Sequence, residues 1–458
     1  MHSTMNRRGF LETGAIALSG MSALWGTKPA SAIDAAFNLD FTPPEMCFMD
    51  QYYYGALDIV RGIRDTQLDT IAESMEKAYE CIRKGGKALS HVNYGHYGMF
   101  AGSKDRPGQP WVLPQPGITP KNYDELQKGD FLITSRAESQ AKAARERGVH
   151  VVGLTCNYYA FSKTPPDGLR EGKYETPIED VCDVLIDSQV PWDNGLVSAP
   201  QIPQLKLCPS SGISQFAVYW ACSASLANLI GTKGKGSSSE PALQYLNILE
   251  ERFEMVGTDR PKIDWVAEKW TDLVLQKSAR MLVYGHPQDV EPYDGSRNIF
   301  VNDAYICSSS AMIADQYEKR ANDVRDTDIV LIGGFTSDNI QEIEVARHAR
   351  SVGAHTTAFC PYATDGDSSG LRLFKEVDCS LNTFSDESAG VIPVKGFDEK
   401  VCPVAGLTGD LVLWMLTAQW TDHMCRRGEP PYYWKGYHER DGREYDDLAY
   451  KEFLKRGY

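Results

Sequence analysis

The chain has 458 residues, 42% hydrophobic and 24% charged, with a formal net charge of −15. The proportions are those of a soluble globular protein, and the length predicts two domains or more. A negative balance with no basic cluster beyond the N-terminus excludes nucleic acid and anionic membrane as partners, since both require clustered Lys and Arg.

In chain order, the first segment is an address rather than a fold. Arg7-Arg8-Gly9-Phe10-Leu11 precedes the apolar run GAIALSGMSALW, and Ala30-Ser31-Ala32 supplies an A-x-A cleavage pattern. This order resembles a twin-arginine (Tat) export signal, and about 12 apolar residues are too few to cross a bilayer. No later window reaches the roughly 20 apolar residues a span requires. The expectation is a signal peptide over residues 1–32 and a periplasmic or otherwise exported mature chain, with no membrane association after cleavage. Residues 33–64 follow as an N-terminal arm and helix. The eleven cysteines are odd in number and form no C-x-x-C, and several (Cys182, Cys222, Cys360, Cys379) sit inside apolar runs. They read as buried free thiols, with no metal site expected.

From Leu68 to Ile82 apolar residues recur at three- and four-residue steps, a helical pattern that Gly85-Gly86 ends. A run of strands follows: ALSHVNY (88–94, leading into Gly95-His96), WVLP (111–114), Gly129 to Ser135, VHVVGLT (149–155) and CDVLIDS (182–188). It closes on KLCPSSGISQFAVYWACSASLANLI (206–230), where Cys-Pro and a glycine introduce a long apolar helix. GTKGKGSSSE (231–240) has the composition of a flexible linker.

The pattern then recurs. ARMLVYGH ends in Tyr284-Gly285-His286, and RNIFV is a short second strand. Thr327 to Gly334 forms the third, Gly353 to Phe359 the fourth and Asp378 to Leu381 the fifth. The closing helix is KVCPVAGLTGDLVLWMLTAQWTDHM (400–424). Matching points lie 190 to 205 residues apart, in unbroken order. A duplicated α/β unit is therefore expected: a first domain over 65–230, a linker and helix over 231–262 and a second domain over 263–425. Residues 426–458 form a Tyr-rich, charged tail packed over one domain.

GDFLITS…ERGVHVVGLT and, more loosely, TDIVLIGG…SVGAHTTAF resemble the third and fourth strands of the sugar isomerase (SIS) domain. CDVLIDS…LKLCPSSGISQFAVYW is similar to that family's fifth strand, connector and final helix. The resemblance implies two flavodoxin-like, three-layer αβα domains in tandem, each with a parallel five-stranded sheet. It also implies a small carbohydrate derivative as ligand (sugar, amino sugar or sugar phosphate) and no cofactor. Some members of the family isomerise such ligands and others only bind or sense them. Aldose–ketose isomerisation and a non-catalytic binding module are both open at this point, as is assembly into a homo-oligomer.

The resemblance places ligand-binding hydroxyls in loops at the carboxyl ends of the strands, where hydroxyls and helix-start amides can donate to an anion. Those positions are Ser135 after the first copy's third strand, Thr336, Ser337 and Asn339 after the second copy's, and Ser210 and Ser211 before the first closing helix. The second copy has Val404-Ala405 at that last point. Asp338 would repel an anion in its loop. His96 and His286, each after Tyr-Gly at a first-strand end, are candidate acid/base residues because an imidazole titrates near neutrality. Glu138 and Glu387 are the candidate carboxylate bases, placed by topology alone.

Overall fold

The computed structural model describes residues 46–92, 124–135, 139–155, 178–191, 194–203, 206–285, 303–304, 324–362, 370–386, 390–435 and 441–458. The export signal, the 111–114 strand, His96, His286, Glu138 and Glu387 lie outside them.

Short strands that are apolar on both faces pair in parallel and need helices above and below. The first such sheet joins β1 (Ala88–His91), β2 (Phe131–Thr134), β3 (His150–Leu154) and β4 (Val184–Ile186), in that spatial order and all parallel. A two-stranded antiparallel ribbon of β5 (Gly195–Val197) and β6 (Leu207–Pro209) comes next. The second parallel sheet joins β7 (Met281–Gly285), β8 (Asp303–Ala304), β9 (Ile329–Gly333), β10 (His355–Cys360) and β11 (Cys379–Asn382). Its spatial order is β11-β10-β9-β7-β8. Counted within the second run this is 2-1-3-4-5, the flavodoxin-like order, with the reversal between β7 and β9. The first sheet has the same order for the four strands described. Registers agree as well: Ala88 pairs with Phe131 as Met281 pairs with Ile329, and Phe131 with His150 as Ile329 with His355.

Alternation along each strand sends side chains to two different cores. Leu132 and Val151 meet α2 (Ser139–Glu146) and α3 (Ile178–Val181) on one face of the first sheet. Val330 and Ile332 meet α7 (Ile340–Ser351) on the matching face of the second. The opposite faces, carrying Phe131, Ile133, Ile329 and Leu331, belong to one continuous core. Its helices are α1 (Phe48–Arg83), α4 (Ser211–Gly231), α5 (Glu240–Val256), α6 (Arg260–Lys277) and α8 (Ala405–Arg426). Five helices thus form a layer shared by both sheets, with α1 against α4 and α8, and α5 against α4 and α1. This sharing explains why α4 and α8 are apolar on all sides. By length and composition α4 would even cross a bilayer, contrary to the window expectation above, but 89% of its apolar window is buried inside the protein.

Small devices recur at matching points. The Tyr52 hydroxyl of α1 donates to Pro209 O at 3.0 Å, and that of Tyr245 in α5 donates to Pro403 O at 3.0 Å. The cysteine before each proline has left-handed backbone, with φ 58° at Cys208 and 63° at Cys402. Such a conformation is strained for a side chain with a Cβ. Asp130 accepts the Gln127 amide and Asp328 the Arg325 amide, each at 2.8 Å. Asp187 Oδ1 accepts the Gln189 amide at 2.9 Å, and Asn382 Oδ1 the Phe384 amide at 3.0 Å, each holding the acceptor's turn.

The halves differ where sequence chemistry differs. α1 is one helix of 36 residues, whereas its counterpart breaks into α5, a 3-10 turn at Gly257–Asp259, and α6. Pro261 at the start of α6 is the cause, because it cannot donate to a continuing helix. Nor is the 231–239 segment the loose linker its composition suggests. Asn228 Nδ2 donates to Ser237 O at 2.8 Å, Ser238 Oγ to Glu76 at 2.7 Å, and Ser225 Oγ to Ser238 O. Its hydroxyls and carbonyls are tied to α4 and α1. Across α1 and α5, Arg61 meets Glu250 at 2.6 Å and Arg64 meets the same carboxylate, and from the start of α6 Arg260 meets Asp50 of α1 at 2.8 Å. Part of the tail is the helix α9 (Gly442–Arg456), where Ala449 and Phe453 pack with Tyr432, Trp434 and Tyr445. The nine described cysteines are free thiols, and eight are buried.

Candidate functional site

Open parallel sheets bind ligands at the carboxyl ends of their strands, next to the point where strand order reverses. In the second sheet that point is bare of side chains. Gly285 and Gly333, the last residues of β7 and β9, are paired. Gly285 has φ +82°, and a Cβ on it would stand 2.3 Å from Gly333 O. Only glycine permits this close approach at no steric cost. The loop that follows carries Thr336, half-buried, and Ser337, fully buried. Ser337 O accepts the Leu373 amide at 2.6 Å, which ties the loop to the segment bearing the buried Arg372.

Asn339 does different work from that expected of it. It is the N-cap of α7: its Oδ1 accepts the Gln341 amide at 3.0 Å and its Nδ2 donates to Glu342 Oε1 at 3.1 Å. Glu342 is 7% exposed, and its other oxygen stands 2.6 Å from where a Gly334 Cβ would lie. A carboxylate of the chain therefore already occupies the positive end of α7. With the exposed Asp338 beside it, this loop disfavours an anionic ligand and suits hydroxyls.

In the first sheet the matching floor is Val92 and Ser135. The Ser135 amide donates to His91 O at 3.1 Å, while its hydroxyl is buried without a partner. The start of α4 is organised by Asn194, which sequence reading missed. Its Oδ1 accepts the amides of Ser210 and Ser211 at 3.1 and 2.7 Å, and its own carbonyl receives the Ser210 hydroxyl at 3.0 Å. Ser210 is thereby used within the fold, whereas the Ser211 hydroxyl stays unpartnered. Burial and the Asp410 carboxylate of α8 push the nearby Tyr52 phenol well above its ordinary range, so it remains a donor. At the start of α8 the backbone belongs to Val404 and Ala405, with Thr408 Oγ1 turned back to Val404 O at 3.3 Å and Ala405 O at 3.2 Å.

The expected binding residues therefore fall into two groups on different sheets: Ser135, Ser210 and Ser211 in the first half, Thr336, Ser337 and Asn339 in the second. Two titrating pairs sit at the other ends of the strands. His150 lies 3.7 Å from Asp183 and His355 lies 3.9 Å from Asp378. Burial lowers both imidazoles despite the adjacent carboxylates. Each aspartate also accepts a strand amide, from Val151 and Thr356, at 2.9 Å, so these pairs close the sheets. Cys379 Sγ is 3.7 Å from His355 Nε2, but burial pushes that thiol up to about 11, the reverse of an activated nucleophile.

No family model matches the chain, and no curated protein sequence matches it. Among solved structures, it is similar to the C-terminal domain of glucosamine-fructose-6-phosphate aminotransferase from Francisella tularensis. That match has 11% identity and a TM-score of 0.44, covering 82% of this chain and 96% of that one. It is also similar to tagatose-6-phosphate ketose/aldose isomerase from Escherichia coli, with 11% identity, a TM-score of 0.37 and coverage of 84% and 93%. Likeness at that level assigns neither family nor function.

Proposed function

We propose that this chain is a tandem pair of sugar-isomerase-type domains, exported by the twin-arginine route, that binds a carbohydrate derivative. The observation that carries the reading is the paired glycines that end β7 and β9, at the reversal of strand order, with Thr336 and Ser337 in the loop that follows. The proposed duplication extends further than the sequence expectation. It runs from α1 through α4 and from α5 through α8, so that the two copies meet as the subunits of a dimer would. Each copy keeps a different part of an ancestral site, giving two unlike pockets.

In the catalytic version, His96 and His286 move protons and Glu138 or Glu387 takes the proton from the carbon next to the carbonyl. The second reading is a binding module without turnover. It is favoured by Glu342, which fills the anion position of one loop from within. A thermal-shift screen of sugars, amino sugars and sugar phosphates on the mature chain tests binding. Proton NMR of any hit in heavy water then separates the versions, since deuterium uptake at C2 requires isomerase chemistry. A screen in which no carbohydrate raises the melting temperature refutes the reading. For export, replacing Arg7 and Arg8 with Lys is expected to hold the uncleaved precursor in the cytoplasm. Unchanged secretion and processing would refute that part.

A further inference from the structure

A helix that begins inside a protein leaves its first amides unmet unless an acceptor is brought to them. α4 begins this way. Ser211, Gly212 and Ile213 are buried. The Ser211 amide is taken by Asn194, but the amides of Gly212 and Ile213 meet no acceptor among the described residues. Two side-chain donors are unmet among the described residues in the same place: Ser211 Oγ and Asn194 Nδ2, both on residues with no exposed surface. The Asn194 amide is not free to turn over. Its oxygen must face the two backbone N–H groups it accepts, which fixes its NH2 as a donor directed away from them. Its φ of 61° suits asparagine better than most residues with a Cβ.

Four donors with no paired acceptor, at the positive end of a 21-residue helix, are the complement of an oxyanion. We propose that the start of α4 is an oxyanion subsite, with Asn194 and Ser211 as its side-chain ligands. It receives the carboxylate of a sugar acid or the phosphate of a sugar phosphate. The sugar part of this assignment rests on the carbohydrate reading above, while the oxyanion part rests on the donors alone. The second half does not repeat the arrangement: α8 starts at Val404 and Ala405, and α7 is already supplied by Glu342. Being closed off from water, the four donors hold an oxyanion more strongly than surface groups would.

The test is calorimetric titration of the full mature chain with hexoses, their uronates, their 6-phosphates and inorganic phosphate. Wild type, Asn194→Asp and Ser211→Ala are compared. Asp keeps the oxygen that caps α4 and tolerates the left-handed backbone, but replaces the donor with a negative charge. An oxyanion-bearing sugar is expected to bind at least ~10-fold tighter than its neutral parent, roughly one charge-assisted hydrogen bond. Asn194→Asp should weaken it by ~100-fold and Ser211→Ala by about 5-fold, with the neutral parent unaffected. If uronate and 6-phosphate bind no tighter than the parent hexose, or if Asn194→Asp changes their affinity less than twofold, the subsite is overturned and the carbohydrate reading stands. If inorganic phosphate binds in an Asn194-dependent way and no sugar does, the subsite stands and the carbohydrate reading falls. Binding of nothing to wild type overturns both. Should Asn194→Asp fail to fold by circular dichroism, Ser211→Ala decides on the same criteria, because alanine is what α8 carries at its own start.

Discussion

The paired tyrosine clamps give the sharpest test of equivalence between the halves. Tyr52 and Tyr245 are fully buried, and each donates its hydroxyl at 3.0 Å to the carbonyl of the proline after a left-handed cysteine. Burial is the first cause of a phenol pKa well above the ordinary range in both, so both are donors at any working pH. Replacement by Phe changes almost no volume. It removes one hydrogen bond and leaves a buried carbonyl short of its donor, at about 1–2 kcal/mol for each site. The clamp also holds a backbone conformation that costs of order 1 kcal/mol by itself, so the upper part of that range is expected. Tyr52→Phe and Tyr245→Phe should therefore lower the unfolding free energy in urea by equal amounts. The double variant should lower it by their sum, since the two clamps share no partner. A cost at one site with the other neutral within about 0.3 kcal/mol would refute the equivalence.

Gly285→Ala must both accept a φ of +82° and move Gly333 O from 2.3 Å. It should cost about 3 kcal/mol or abolish folding, and a melting temperature within a degree of wild type would contradict the close β7–β9 approach. Thr336→Ala with Ser337→Ala should weaken any carbohydrate ligand without lowering the melting temperature of the free protein by more than a few degrees; an unchanged affinity removes these residues from the site. Burial depresses both His150 and His355 below the ordinary value of 6.5. The unfolded chain thus takes up protons first, and their contribution, complete above about pH 6.5, is lost as the pH falls toward the folded value. Urea midpoints from pH 7.5 to 5.5 should decline, and less so in a His150→Asn, His355→Asn variant; an identical decline would show that other groups dominate. Finally, residues 47–231 expressed alone would expose the faces of α1 and α4 that α5 and α8 cover. Near-ultraviolet circular dichroism should show no fixed tertiary structure, and a native-like spectrum would refute a common core.

What could be read in the sequence was what depends on local pattern. Short runs of four to six mostly apolar or Thr residues located β2, β3, β9 and β10, and Cys-Pro followed by a glycine located α4 and α8. Composition misled where long-range bonds decide: GTKGKGSSSE reads as loose, but its partners are carbonyls and a carboxylate on two helices that only folding brings near. Ser210 and Ser211 read alike, yet one hydroxyl is spent on Asn194 and the other is not. Nothing local marks Asn194, 16 positions upstream of Ser210, as the acceptor at the start of α4. Glu342 had the same disguise, a charge near a helix start whose burial against Gly334 depends on the loop's path. The break between α5 and α6 has a local cause in Pro261, and the unbroken α1 contains no proline.

The shared helical layer has a consequence for how such a chain changes over time. A bulkier residue on the inner face of α4 is felt by α5 and α8, so each copy's interior is bound to its neighbour's history. The strand-end residues Ser135, Thr336 and Ser337 lie outside that layer and are not bound in the same way. Two sheets that share one helical layer can thus differ in chemistry at their strand ends while the interior between them is held alike.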